Sequence, residues 1–215
     1  MRLTIFTGYD DRESDGWCVF ARSVCDTTPG AELIRLPAMQ GDGSNAFTYS
    51  RFMVPKLCGY RGWAIFMDGV DMLALSDLNG LMALADPRYG VQVVQHDYKT
   101  RHPRKYVGST MECANEDYPC KNWSSVILWN CAHPSHQWLR EEAPAAANHR
   151  FSWLDADEIG ALPLAWNWLV DEYDENKDAN VLHWTAGAPF LEHYRHAPMA
   201  DYWHKVNESL EVQCA

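Results

Sequence analysis

Residues 63–75, WAIFMDGVDMLAL, contain an apolar run that ends at one carboxylate and resumes after a second. The run Trp63–Met67 is apolar at every position, which is typical of a strand buried on both faces of a sheet. Carboxylates at the end of a buried strand cost free energy unless a cation neutralises them. This stretch therefore predicts a central strand, and it predicts that a cation lies beside Asp68 and Asp71.

Strand-like and helix-like segments alternate on both sides of this stretch. Strands are expected at 3–11, 31–36, 63–68, 91–96, 123–131 and 181–184. Helices are expected at 12–25, 47–58 and 76–86, from about residue 134 and near the C-terminus, and Asn45 is a candidate cap of the second. This alternation predicts an α/β fold with a mostly parallel central sheet flanked by helices, in a single domain covering residues 1–215. Ligands bind at the carboxyl ends of such strands.

Composition excludes several classes of protein. A net charge of -11 disfavours a nucleic-acid-binding protein, which normally carries a basic face. No apolar run approaches the roughly 20 residues of a membrane span, and the N-terminus lacks the pattern of a signal peptide. We therefore expect a cytoplasmic protein with no membrane span. Seven cysteines without a C-x-x-C pair disfavour a zinc site or a disulfide framework.

Three residues are candidate metal ligands. Asp68 and Asp71 are three positions apart, so they share a face only if Gly69 permits a bulge or tight turn. Carboxylate oxygens suit Mg²⁺ or Mn²⁺, and an imidazole from His183, after the short strand at 181–184, favours Mn²⁺. The alternatives are that one aspartate caps a turn while the other is solvated, and that His183 is a hydrogen-bonded core residue.

Two other charged segments are ambiguous. In residues 96–108, HDYKTRHPRKYVG, four cations either bind phosphate or form a solvated loop; they are Lys99, Arg101, Arg104 and Lys105. Asp155 and Asp157 form a literal D-x-D, but no apolar strand leads into them. Helix capping is slightly favoured there over a role facing an acceptor.

Five segments in order resemble the small bacterial or phage glycosyltransferases of the GT-A fold, similar to glycosyltransferase family 8, a group of retaining enzymes. They are TGYDDRE at 7–13, AFTYSRFMVPKLCGYRGWAIFMD at 46–68, KNWSSVILWNC at 121–131, LDADEIGALPLAWNWL at 154–169 and VLHWTAGAPF at 181–190.

The resemblance implies metal-dependent transfer of a sugar from a nucleotide-sugar donor, most often a UDP-sugar. The acceptor, whether glycan, lipid or protein, is not specified. Mn²⁺ or Mg²⁺ would bridge Asp68, Asp71, His183 and the donor phosphates. Arg51 and Asp155 would be the catalytic residues, with Arg51 near the donor and Asp155 facing the reacting sugar. The donor-binding residues would be Thr7, Tyr9, Asp10, Asp68, Gly69, Lys99, Lys105 and Gly187.

This chain departs from the family pattern in three places. The acids are separated by one residue more than usual, Ala188 stands where many relatives carry a phosphate-binding lysine, and Ala156 replaces a glutamine. These departures keep open a catalytically degenerate nucleotide-sugar or carbohydrate-binding protein with the same fold. A nucleotidyltransferase is disfavoured, because TGYDDRE supplies acids where a glycine-rich phosphate loop would be expected.

Overall fold

A computed structural model describes residues 2–39, 46–140 and 143–213; Asn45, the candidate cap, lies outside these ranges. The strands are β1 Thr4–Thr7, β2 Glu32–Arg35, β3 Trp63–Met67, β4 Met72–Ala74, β5 Val91–Val93, β6 Arg104–Lys105, β7 Cys113–Ala114, β8 Val126–Asn130, β9 Ile159–Ala161, β10 Trp168–Leu169 and β11 Val181–His183. The helices are α1 Ser14–Thr27, α2 Val54–Leu57, α3 Asn79–Met82, α4 Ala145–His149 and α5 Ala200–Gln213. Short 3-10 turns lie at Asp11–Glu13, Ser50–Met53, Trp123–Ser125, Pro134–Trp138, Ala156–Glu158, Leu164–Asn167 and Glu192–Tyr194.

The central sheet has six strands in the order β2-β1-β3-β8-β5-β9. All of its neighbouring pairs are parallel except those made by β8, which runs opposite to β3 and β5. A smaller sheet, β10-β11-β4, and the hairpin β6-β7 complete the strands that the structure describes. The expected α/β fold with a mainly parallel sheet is confirmed.

Alternate residues of β3 enter two different cores, as the two-residue repeat of a strand requires. Ile65 and Met67 pack into one core with Phe20 of α1, whereas Ala64 and Phe66 pack into the other. Burial on both faces explains why this strand is apolar throughout. The strand thereby fixes the position of Asp68, the residue that follows it.

The segment between β3 and β4 is a tight turn, not a bulge within one strand. The Val70 amide donates to the Asp68 carbonyl at 3.0 Å, and Gly69 has φ 81°. A Cβ at Gly69 would lie 3.2 Å from Phe20 Cδ1, so the position favours glycine on both grounds. The turn sends the chain from the central sheet into the smaller one, which is why two apolar runs flank the acids.

Several predicted helices are shorter in the structure. The segment 47–58 forms the 3-10 turn Ser50–Met53 followed by α2, and 76–86 contains only α3. The helix expected near residue 134 is the 3-10 turn Pro134–Trp138. Packing against the rest of the protein is enough to stabilise such short segments. The spacing of apolar residues therefore predicted helices that are longer than those in the structure.

Five of the six central strands point the same way, so the sheet has two chemically distinct ends. The cavity end is formed by the carboxyl ends of β1, β3, β5 and β9 and the start of β8. The opposite end carries the starts of β3, β5 and β9. Among the described residues, no helix has the length and apolar character needed to cross a bilayer.

Candidate functional site

A cavity of about 550 Å³ opens at the cavity end of the sheet, within the size range of small-molecule sites. Its walls come from the β3-β4 turn, the start of β8, the hairpin β6-β7, α4 and the end of β11. Asp68, Asp71, His183, Arg51 and Lys105 all line it. The structure therefore brings these five predicted residues together.

Strand pairing explains how His183 reaches the two aspartates. In the smaller sheet His183 is the register partner of Met72, the residue after Asp71. One ligand atom from each of Asp68, Asp71 and His183 lies within 4.8 Å of the others. The His183 Nε2 atom is 3.3 Å from Asp71 Oδ2. The spacing of three residues is thus compatible with a shared site, because the Gly69 turn folds both acids toward it.

The donor atoms fit a hard divalent cation. Asp71 Oδ1 is buried without a hydrogen-bond partner, whereas Asp68 Oδ1 has the guanidinium of Arg51 at 2.9 Å. Buried carboxylate oxygens without donors are costly, and a cation is the usual compensation. Two carboxylates and one imidazole are ligands that suit Mn²⁺ or Mg²⁺, and the set contains no thiolate of the kind that is typical of structural zinc sites. The residues present therefore fit the metal that the sequence predicts.

Arg51 is buried against the first aspartate. Its Nη1 atom lies 2.9 Å from Asp68 Oδ1 and also donates to the Ser124 carbonyl at 2.9 Å. The rings of Phe47 and Phe66 flank the guanidinium, so it is held in place. Burial raises the pKa of Asp68 to about 6, with Asp71 adding to the rise while Arg51 opposes it. Arg51 thus neutralises one carboxylate and leaves Asp71 without a cation.

Two lysines line the cavity, but only one of them was predicted. Lys105 lies on β6, and Lys121 is buried with its Nζ atom donating to Asn115 Oδ1 at 2.8 Å. Burial lowers the pKa of Lys121. Lys99 is exposed and outside the cavity, which corrects its predicted place. Of the four cations in the segment 96–108, Lys105 is therefore the one that lines the cavity.

The predicted nucleotide-binding residues Thr7, Tyr9 and Asp10 lie at and just after the carboxyl end of β1, and none of them is among the residues that line the cavity. Thr7 Oγ1 accepts a hydrogen bond from Trp17 Nε1 at 2.9 Å, and the Tyr9 ring packs on Arg35. Asp10 accepts from the Arg12 side chain, at 2.9 and 2.6 Å, and from the Ala46 amide at 3.0 Å. The hydrogen bond from Arg12 is the main reason that the pKa of Asp10 is lowered. Contact of these residues with a nucleotide stays a prediction.

Asp155 lies at the wrong end of the sheet for its predicted catalytic role. It precedes β9, and it caps the 3-10 turn Ala156–Glu158 in a reciprocal capping box with Glu158. Its side chain is exposed and does not line the cavity. The capping alternative is therefore correct. Gly187 is also outside the lining; a Cβ there would come within 2.3 Å of the Tyr194 ring, so its role is close packing.

Several polar residues around the site were missed. Asn167 contacts His183, His96 contacts Asn167, and His149 contacts Ser124. Burial lowers the pKa of His96 and of His149 to about 3, so both imidazoles are neutral. Asn167 lies in the segment LDADEIGALPLAWNWL at 154–169, and a lone asparagine there gives little signal in sequence. Its burial at 0% exposure is what identifies it.

Comparison with known structures identifies the fold. The apo-form glycosyltransferase GlyE of Streptococcus pneumoniae TIGR4 superposes with a TM-score of 0.66 at 12% identity, covering 96% of this chain and 60% of GlyE. This chain thus spans less than two thirds of GlyE. The galactosyltransferase LgtC, solved with donor and acceptor sugar analogs, superposes with a TM-score of 0.59 at 14% identity, covering 96% of both chains. At these identities the likeness establishes the GT-A fold alone.

Comparison with known sequences identifies the family. No protein-family model matches the chain. Protein CDI of Arabidopsis thaliana is 35% identical over 230 residues, covering 96% of this chain and 86% of that protein. The chain, which has the glycosyltransferase GT-A fold, therefore belongs to the family of Protein CDI.

Proposed function

We propose that this protein is a divalent-metal-dependent glycosyltransferase that moves a sugar from a nucleotide-sugar donor to an acceptor. The observation that carries the proposal is the cluster of Asp68, Asp71 and His183 in the cavity, in which the buried Asp71 Oδ1 atom has no hydrogen-bond donor. A GT-A fold around that cluster supports this chemistry. A UDP-sugar donor, Mn²⁺ and retention of anomeric configuration follow from the resemblance to family 8.

The roles of the chain's own residues follow from their positions. Asp68, Asp71 and His183 would hold the ion, and Arg51 would orient Asp68 while keeping its charge balanced. The chemistry supplied by a bound divalent ion is neutralisation of charge on the diphosphate leaving group. The enclosing walls would limit access of water to the donor.

The charge of the cavity supports a diphosphate ligand. The carboxylates Asp68, Asp71 and Glu116 line it beside the cations Arg51, Lys105, Lys121 and Arg150. A bound divalent ion would leave the cavity clearly positive, which suits a dianionic diphosphate ester. A neutral sugar alone would leave that charge uncompensated.

Lys105 and Lys121 are the proposed phosphate-binding lysines. They would replace the lysine that many relatives carry where this chain has Ala188. Lys105→Ala should raise the KM for the donor about tenfold or more, because it removes a charge-assisted contact. Lys99→Ala is the matched control, since Lys99 is exposed outside the cavity, and it should leave KM unchanged. Equal effects of the two substitutions would contradict this assignment.

A second candidate is a nucleotide-sugar-binding protein without transferase activity. It is favoured by one observation: Asp155, the predicted catalytic carboxylate, lies at the opposite end of the sheet. Beyond the metal-binding pair, Glu116 is the one acidic side chain among the described residues that line the cavity. A transferase that needs a carboxylate facing the acceptor would therefore have to use Glu116.

Hydrolysis of a panel of nucleotide-sugars with Mn²⁺ tests the proposal. The wild type should release nucleotide from at least one donor, and Asp71→Asn and His183→Ala should reduce the rate more than about 100-fold, because each removes a direct ligand. Turnover that both variants match would contradict the assigned site. Mn²⁺-dependent binding of a donor without turnover on any acceptor tested would favour the binding protein.

A further inference from the structure

A continuous chain of side-chain hydrogen bonds runs from the metal cluster into the core. His183 Nδ1 is 2.9 Å from Asn167 Oδ1, and Asn167 Nδ2 is 3.0 Å from His96 Nε2. His96 Nδ1 is 2.9 Å from the Tyr173 hydroxyl. His183 and Asn167 are almost completely buried, at 1% and 0% exposure. Water therefore does not compete for the contact between His183 and Asn167.

The orientation of the Asn167 amide follows from its other neighbours. Its nitrogen lies 3.2 Å from the Asn122 backbone carbonyl and 2.8 Å from Ser125 Oγ. A carbonyl oxygen only accepts, so the atom that faces it must be the NH₂ group. The Asn167 oxygen is then fixed toward His183. A reversed amide would place two oxygens against each other in a buried site.

The amide orientation determines the proton position on His183. Because Asn167 presents an oxygen, the nitrogen that faces it, Nδ1, must carry the proton. In the neutral imidazole the other nitrogen, Nε2, then carries a lone pair that is directed toward Asp71. On the far side, the Asn167 NH₂ group faces His96 Nε2, so this nitrogen accepts and His96 donates through Nδ1 to Tyr173. The two NH₂ protons are shared among three acceptors, which are His96 Nε2, Ser125 Oγ and the Asn122 carbonyl.

We propose that Asn167 is a positioning residue that holds His183 in its Nδ1-protonated tautomer and so keeps Nε2 available as a ligand. Without Asn167, a neutral His183 would gain by carrying its one proton on Nε2, since Asp71 Oδ2 lies 3.3 Å away and would accept that hydrogen bond. The Nε2–H group would then occupy the position that a cation needs. The metal-binding consequence rests on the proposed function, whereas the tautomer does not.

Nitrogen-15 NMR of the histidine rings in the metal-free protein, followed by titration with Mn²⁺ alone, tests the inference. Wild-type His183 should show the Nδ1-protonated pattern. Asn167→Leu, of similar volume, should shift His183 toward Nε2 protonation and weaken Mn²⁺ binding about 10- to 100-fold, as loss of an outer hydrogen bond does. Tyr173→Phe, a milder change at the far end of the chain, should shift the His96 pattern and weaken Mn²⁺ binding less.

Asn130→Leu is the matched control. Asn130 is also a buried asparagine, but it donates to the Tyr89 carbonyl at the opposite end of the sheet. This variant should lose stability while keeping the His183 tautomer and the Mn²⁺ affinity. If Asn167→Leu does not fold, Tyr173→Phe carries the test.

Three results overturn the inference or separate it from the proposed function. A neutral wild-type His183 whose one proton lies on Nε2 overturns it. An unchanged tautomer in Asn167→Leu, with Mn²⁺ affinity equal to that of Asn130→Leu, also overturns it. The expected tautomer in a wild type that binds no Mn²⁺ supports the role of Asn167 on His183 and contradicts the proposed metal dependence.

Discussion

Two pairs of aspartates lie at opposite ends of the same sheet. Asp155 and Asp157 have the D-x-D spacing but are exposed, and Asp155 is satisfied by its capping box with Glu158. Asp68 and Asp71 have one residue more between them, yet they line a cavity, and the Oδ1 atom of Asp71 is buried there without a hydrogen-bond donor. The pair with the expected spacing caps a turn, and the irregular pair forms the candidate metal site.

This difference indicates that the surroundings of a carboxylate, more than its spacing from the next one, decide which pair is the candidate metal site. A carboxylate that is solvated or capped gains little from a cation, whereas a buried one without donors gains much. The same substitution should therefore change Mn²⁺ affinity strongly in the buried pair and hardly at all in the exposed pair.

The largest expected effect comes from exchanging one carboxylate for an amide in each pair. Asp71→Asn should weaken Mn²⁺ binding more than about 100-fold, because it removes a ligand charge. Asp157→Asn should leave Mn²⁺ affinity within about twofold. Titration calorimetry with Mn²⁺ compares them, and equal losses would remove the distinction between the two pairs.

A smaller effect is expected from the turn that unites the buried pair. Gly69→Ala should cost about 1–2 kcal/mol of unfolding free energy, because φ 81° is unfavourable for alanine. It should also weaken Mn²⁺ binding, since the new Cβ contacts Phe20.

Gly30→Ala is the control for this strain. Gly30 has a similar φ of 84°, and a Cβ there meets nothing within 4 Å. Urea unfolding should show a comparable strain cost, and Mn²⁺ affinity should stay at the wild-type value. A Gly69→Ala protein with normal Mn²⁺ affinity would show that the turn does not set the positions of the acids.

A third buried carboxylate, Asp10, shows the pH response of a satisfied acid. The pKa of Asp10 is lowered in the folded protein, so the folded state holds its proton less tightly than the unfolded state. Its stabilisation is therefore present above about pH 4 and is lost as the pH falls through the folded pKa. Asp10→Asn should lower stability at pH 7 by about 1–2 kcal/mol and flatten the loss below pH 4. Parallel acid-unfolding curves for both proteins would contradict this.

The smallest effect is expected at the cap. Asp155→Ala should cost about 0.5–1 kcal/mol, as loss of an N-cap does, and should leave donor hydrolysis unchanged. Thermal unfolding and the hydrolysis assay measure the two quantities. A large loss of turnover with little loss of stability would restore Asp155 to the catalytic role that its segment suggested.

Much of the fold could be predicted from the sequence. Strands such as 63–67 and 126–130 consist mostly of apolar residues, and such runs are typical of strands that are buried on both faces of a sheet. The meeting of Asp71 and His183 could be anticipated only by resemblance, since the pairing of β4 with β11 is a long-range contact. Asp155 was misplaced because the sequence pattern did not predict β9, the strand at whose start Asp155 lies. Asn167 was missed because a single amide gains its meaning from four neighbours that are distant along the chain.

Calorimetric titration of the wild-type protein with UDP, in the presence and absence of Mn²⁺, tests the central claim most directly. The buried acids should repel a free diphosphate and bind it through the ion, so UDP affinity should rise at least about tenfold with Mn²⁺, and this gain should vanish in Asp71→Asn. Equal affinity for UDP with and without Mn²⁺ would contradict the assignment of Asp68, Asp71 and His183 as a metal site.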